Sequence, residues 1–254
     1  MRKHRADSWT PSVSVVLLLV ALLLVPAVAL RASEAVVQVG TFSQLAPGDP
    51  LPAHWQPLTF KKIKSHSRYW LATDGDQTVL AAHSHQSASG LVRKISVDLK
   101  AFPYINWRWK VDHVYAQGDV ARKDGDDYPA RIYITFAYDP VQVGFLERAK
   151  FETARLVYGE TPPMAVLNYF WANRAPRGSF APNAYTNRAI MIAVQSGSAR
   201  TGRWVTEKRN VYADYKKAFG REPTAITGVA IMTDTDNTGE TGEAWYGDIF
   251  FSAE

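Results

Sequence analysis

Asn106-Trp107-Arg108-Trp109-Lys110 and, after an acidic connection, Lys123-Asp124-Gly125-Asp126-Asp127-Tyr128-Pro129-Ala130-Arg131-Ile132-Tyr133-Ile134-Thr135-Phe136 decide the fold of this 254-residue chain. Both ends of the stretch read as strands, because strand side chains alternate with period two. Trp107, Trp109 and Val111 fall on one side of the first strand, and Ile132, Ile134 and Phe136 on one side of the second. These are core faces. The opposite sides carry Asn106, Arg108 and Lys110, then Arg131, Tyr133 and Thr135. Arg108 and Lys110 are therefore expected beside Asp126, Asp127 and Arg131, gathering charges of both signs on one sheet face.

Outward from that pair, the chain after Val36 is written in short apolar runs separated by turn residues, the spacing of an all-β domain. Ten strands are expected: 36–39, 69–72, 78–82, 91–99, 105–111, 131–138, 166–171, 190–195, 228–233 and 244–251. Ten exceed one ordinary sheet, so the expected fold is a two-sheet antiparallel β-sandwich, jelly-roll-like, with aromatic side chains filling the space between the sheets. Asp74-Gly75-Asp76 reads as a hairpin turn. One or two short helices interrupt the pattern. The segment 145–158 has imperfect helical periodicity. In 211–219, Tyr212, Tyr215 and Phe219 share a face, Asp214 lies early, Lys216 and Lys217 lie late, and Gly220 is the expected C-cap.

At the N-terminus, Arg2, Lys3, His4 and Arg5 precede an apolar run from Val13 to Leu30, and Ala27-Val28-Ala29 supplies small residues for a cut. This is the pattern of a signal peptide over residues 1–29. Pro26 and the A-x-A tripeptide favour cleavage over a retained anchor, leaving one β-sandwich domain over 30–254 with no stable membrane span and a periplasmic or secreted location. Those remaining residues hold 26 basic and 23 acidic side chains, a net +3. So small an excess, with no basic run interleaved with aromatics, gives no reason to expect a nucleic-acid partner. The chain has no cysteine, which excludes disulfides, thiolate metal sites and a cysteine nucleophile.

The ordered motifs Trp107-Arg108-Trp109-Lys110, Asp126 to Arg131, Asn168-Tyr169-Phe170-Trp171, Asp214-Tyr215 with Phe219-Gly220, Thr233 to Thr238 and Tyr246-Gly247-Asp248-Ile249 resemble the bacterial domain-of-unknown-function family 3047. That resemblance covers nearly all of the chain after the leader. It implies an exported β-sandwich and brings no reaction, substrate or catalytic residue. Phe42, Pro52-Ala53-His54-Trp55 and Tyr246 to Phe251 are also similar, over a short span, to the opening and closing strands of jelly-roll carbohydrate-binding modules, many of which hold a structural calcium there.

Two constellations carry candidate chemistry. Asp124, Asp126 and Asp127 followed by Arg131 could bind a polar ligand, since carboxylates accept from sugar hydroxyls and a guanidinium donates in a fixed fork; the plainer reading is an ion pair or Asx turn at the head of a strand. Ligand-binding candidates are Arg108, Lys110, Asp126, Asp127, Arg131 and Tyr133. Asp234-Thr235-Asp236-Asn237-Thr238-Gly239 matches the first half of a calcium loop, but Trp245 stands at position twelve where a bidentate Glu is required, so an EF-hand is rejected. A looser oxygen site of Asp234, Asp236 and Asn237, completed by Asp248 or alternatively by Glu240 or Glu243, remains, as does a plain Asp/Asn-rich hairpin loop. No cofactor is required; a structural calcium is the one this pattern suggests. His83 and His85 share a strand face without a third metal ligand in the sequence nearby, and a solvated strand edge is the better reading. Trp55, Trp171, Trp204 and Trp245 are candidate sugar platforms whose default is core packing.

No G-x-S-x-G, H-E-x-x-H, G-x-G-x-x-G or P-loop is present, which removes the corresponding hydrolase, zincin and nucleotide-binding readings. The leading expectation is an exported sandwich binding a glycan or another polar cell-envelope component on its charged strand face. The alternatives are a saccharide-acting enzyme using paired Asp carboxylates, and a structural envelope protein without a ligand. No residue is assigned a catalytic role, and the oligomeric state is not legible.

Overall fold

The computed structural model describes residues 35–144, 147–148, 151 and 162–254. The expected leader lies outside the described residues, as does most of the helix expected over 145–158. Among the described residues, no helix is long and apolar enough to cross a membrane.

Among the described residues, thirteen strands follow in order: β1 (Val36–Gly40), β2 (Gln56–Leu58), β3 (Arg68–Asp74), β4 (Gln77–His85), β5 (Ala88–Lys94), β6 (Tyr104–Val111) and β7 (Arg131–Phe136). Then come β8 (Ala165–Ala172), β9 (Phe180–Asn183), β10 (Thr186–Ser196), β11 (Val205–Asn210), β12 (Ile226–Asp234) and β13 (Thr241–Ser252). They form two sheets. The six-stranded sheet runs β11-β6-β13-β4-β3, with β1 also paired to β13; the seven-stranded sheet runs β2-β5-β12-β7-β8-β10-β9. The expected sandwich is present, with one departure: β8 and β10 pair in parallel, while the other pairs are antiparallel.

The ten expected runs all fall on strands, although β5 stops at Lys94 instead of Leu99 and β7 at Phe136 instead of Tyr138. The three unexpected strands, β2, β9 and β11, are all sheet edges. Edge strands bury little and tolerate proline or charge, so Gln56-Pro57-Leu58, Phe180-Ala181-Pro182-Asn183 and Val205-Thr206-Glu207-Lys208-Arg209-Asn210 carry a weak strand signal.

The core is an aromatic seam joining the sheets. From β6, Trp107 meets Tyr169 of β8 at 5.5 Å and Trp109 meets Trp171 at 6.1 Å, while the two β6 tryptophans stand edge to face at 5.3 Å. Such pairs contribute about 0.5–1.5 kcal/mol each beyond the area they bury. The helix α1 (Val211–Phe219) has the expected bounds: the Asn210 side chain accepts from the Ala213 N–H at 2.8 Å, and Gly220 ends it at φ 66. Its buried Tyr215 ring packs on Phe136 at 4.5 Å. Between β3 and β4, Gly75 takes φ 65 in the expected hairpin turn.

Candidate functional site

Strands β6 and β7 belong to different sheets, and this corrects the single charged face expected from the sequence. Trp107 and Trp109 turn inward from one sheet, Ile132 and Ile134 inward from the other, so their polar neighbours point away on opposite outer faces of the sandwich. Arg108 and Lys110 therefore do not join Asp126, Asp127 and Arg131.

On the six-stranded sheet, Lys110 Nζ donates to Asp74 Oδ1 at 2.7 Å and stands 4.4 Å over the Trp245 ring. Arg108 lies 4.4 Å over Trp204 and donates to Gln77. Gly247 makes room for it, since a Cβ there would sit 2.5 Å from the Arg108 Cγ. The Lys110 bond, reinforced by Trp204 Nε1, holds the Asp74 carboxyl below the usual carboxylate range. Trp204 and Trp245 are thus half-buried under cations, whereas Trp55 and Trp171 are core residues.

The two acidic loops converge at one end of the seven-stranded sheet. Antiparallel register sets Arg131 of β7 opposite Met232 of β12, and Asp234 projects from the same face two residues on. The short 3-10 turn Lys123–Gly125 then brings Asp126 and Asp127 back over the start of β7. Arg131 is 2 % exposed. Its Nε donates to Asp234 Oδ1 at 2.9 Å, and its Nη2 donates to Asp234 Oδ2 and to the Asp126 carbonyl. Its Nη1 donates to Asp126 Oδ1 at 3.3 Å and to the Tyr133 hydroxyl at 3.1 Å. These five bonds match the five N–H groups of a guanidinium. Arg131 has no donor left for a ligand and works as an internal brace. Burial opposes its charge, but Asp234, Tyr133 and Asp126 outweigh burial and keep the guanidinium firmly protonated. Tyr133 is likewise engaged, its hydroxyl reaching Met232 Sδ at 3.6 Å.

Asp127 is fully buried. Its Oδ2 accepts from the Thr238 N–H at 2.6 Å and the Thr238 hydroxyl at 2.8 Å, while its Oδ1 has no hydrogen-bond partner among the described residues. Burial pushes the Asp127 carboxyl above the usual range despite Thr238 and Arg131; burial also raises that of half-buried Asp236. One oxygen from each of Asp127, Asp234 and Asp236 lies within 4.8 Å of the others. Of the residues expected to hold a metal, Asp234 and Asp236 are brought together. Asp248 is not with them: on β13 it accepts from the Ser43 N–H at 2.9 Å and from the Ser43 hydroxyl. Asn237 instead donates to the Tyr185 hydroxyl at 3.2 Å.

Tyr185, which the sequence reading missed, sits beside this cluster and is 56 % exposed. Its hydroxyl donates to the Lys123 carbonyl at 3.1 Å, and its backbone N–H to Asn183 Oδ1 at 3.0 Å. Asn183 in turn donates to Asp126 Oδ2 at 3.1 Å. Nothing in Pro182-Asn183-Ala184-Tyr185 distinguishes it from an ordinary turn, so no motif could have singled it out.

The family described as "Protein of unknown function (DUF3047)" matches residues 53–250. Among solved structures, the family 11 xylanase from Neocallimastix patriciarum is 9 % identical at a TM-score of 0.29, covering 74 % of this chain and 88 % of that one. The cellulose induced protein Cip1 is 10 % identical at a TM-score of 0.29, covering 79 % of this chain and 91 % of that one. No curated protein matches the chain.

Proposed function

The chain belongs to the DUF3047 family of unknown function, and from that premise, which supplies no activity, we propose that it is an exported protein binding a glycan or another polar cell-envelope component at the Tyr185 end of its seven-stranded sheet. The observation that carries this reading is the posture of Tyr185. Fixing a side chain costs conformational entropy, and an exposed ring recovers little of it through burial. Here the ring is held by bonds to Lys123 and Asn237 yet stays 56 % exposed, a pre-organised flat surface. Half-buried Asn183, Asp236 and Asn237 beside it offer the amide and carboxylate groups that pair with hydroxyls. Export rests on the N-terminal pattern of basic residues, apolar run and A-x-A tripeptide.

The acidic triad argues for binding over glycosidic hydrolysis at this place. Two carboxyls acting on a glycosidic bond stand about 5–9.5 Å apart with the sugar between them. One oxygen from each of Asp127, Asp234 and Asp236 lies within 4.8 Å of the others, and the burial of Asp127 and Asp234 keeps a sugar from standing between those two.

Calorimetric titration with cell-envelope oligosaccharides, preceded by a glycan array to choose them, tests the proposal. Tyr185→Ala should weaken binding by about two- to tenfold, the scale of one lost aromatic contact, and leave the melting temperature unchanged because the ring is exposed. Equal affinity in variant and parent, or no oligosaccharide bound by the parent, would refute the assignment.

A further inference from the structure

Charge is not balanced around Asp127. Asp126, Asp127, Asp234 and Asp236 converge, and among the described residues Arg131 is the one cation that hydrogen-bonds to any of the four. Fully ionised, four carboxylates against one guanidinium would leave three negative charges. Asp234 is satisfied by its two-point contact with Arg131 and by the Tyr128 N–H at 3.3 Å. Asp127 is not, for its Oδ1 is buried without a partner among the described residues. One oxygen of Asp127 lies within 4.8 Å of one oxygen each of Asp234 and Asp236. An unpaired carboxylate oxygen removed from water is costly, and either a proton or a bound cation offsets that cost.

We propose that Asp127, Asp236 and Asp234 bind a divalent cation of the calcium class. The donors are carboxylate oxygens, with no imidazole or thiolate joining them among the described residues, which selects a hard cation over zinc or copper. Asp236 lies in the turn between β12 and β13, where ligand positions can adjust. That suits the irregular shell of about 6–8 oxygens around calcium better than the strict octahedron of magnesium. The ion would fasten this turn, which carries Asn237 and Thr238, to the Asp127 loop, and so steady the Asn237 amide that holds Tyr185. This place differs from the paired opening and closing strands β1 and β13, near which Ser43 already takes both oxygens of Asp248. The inference does not depend on glycan binding.

The test uses the full chain after removal of metal with a chelator. Calcium at a hundredfold excess over its dissociation constant should raise the melting temperature by roughly 5–10 °C, and chelator should reverse the shift. Asp236→Asn should abolish the shift. Terbium emission sensitised by the neighbouring tyrosines, displaced by added calcium, gives a readout in the parent protein that does not depend on a variant folding. Absence of both the calcium shift and displaceable terbium emission overturns the proposal. So does a shift of full size in Asp236→Asn, or a response to magnesium without one to calcium. Tyr185→Ala should keep the calcium shift while losing the glycan, so each reading can fail without the other.

Discussion

Arg131 shows how a residue can have the right chemistry for a ligand and none to spare. Its donors are consumed by two aspartates, a carbonyl and a tyrosine hydroxyl, and its guanidinium carbon rests 4.5 Å over the Tyr128 ring. Removing one member of such a buried set strands the charges it faced. Arg131→Met should therefore destabilise the protein by about 3–5 kcal/mol, read as a shift in the urea midpoint at constant m-value. Arg131→Lys should recover little of this, because three rotatable donors cannot replace a planar fork. A variant within about 1 kcal/mol of the parent, the range of an exposed ion pair, would return Arg131 to the pool of ligand-binding residues. The sequence showed the charges at Asp126, Asp127 and Arg131. It could not show whether they face a partner or one another, because that depends on Asp234, 103 residues further along the chain.

At the scale of elements, local chemistry was legible wherever it is local in origin. The helix α1 carries its stop signal in Gly220 and its charge gradient from Asp214 to Lys216 and Lys217, and the β3–β4 hairpin carries its glycine. Elements whose identity comes from neighbours were not legible; β2, β9 and β11 are strands because a sheet offers them an edge. Close approach between strands makes a sharper test. Gly90 of β5 lies against β12, where a Cβ would sit 2.6 Å from the Ile231 carbonyl oxygen. A backbone atom cannot step aside as a flexible side chain can, so Gly90→Ala should cost roughly 1–3 kcal/mol. Thermal unfolding reads this directly, and a melting temperature equal to the parent's would show that the two strands part easily enough to admit a methyl group.

Across the whole molecule, the two sheets are joined by the Trp107, Trp109, Tyr169 and Trp171 seam and, toward one edge, by a polar pair. Glu207 of β11 in one sheet accepts from the Gln195 amide of β10 in the other, at 4 % exposure. Burial pushes the Glu207 carboxyl above its ordinary 4.5, with Gln195 and then Arg177 acting against it. The native state thus holds a proton over a pH window where the unfolded chain has released it. Stability must then fall as pH rises from the ordinary glutamate value through the raised one. Glu207→Gln keeps an acceptor for Gln195 and removes the ionisation. The variant should be more stable than the parent above that window, with the advantage vanishing below the ordinary value of 4.5. Urea midpoints measured from acid to neutral pH decide it, and parallel pH profiles would rule the mechanism out.

The sequence by itself determined the all-β class, the inward rows of Trp107, Trp109, Ile132 and Ile134, the hairpin at Gly75 and the bounds of α1. It also held both halves of the acidic cluster, in stretches about a hundred residues apart. Period-two alternation records which side of a strand is buried, and it reads the same in either sheet. Which strands become neighbours is decided by long-range pairing that no local pattern encodes. That is why tertiary structure alone sent Arg108 and Lys110 to one outer face and Arg131 to the other, set Asp127 beside Asp236, and stood Tyr185 at the edge of the cluster.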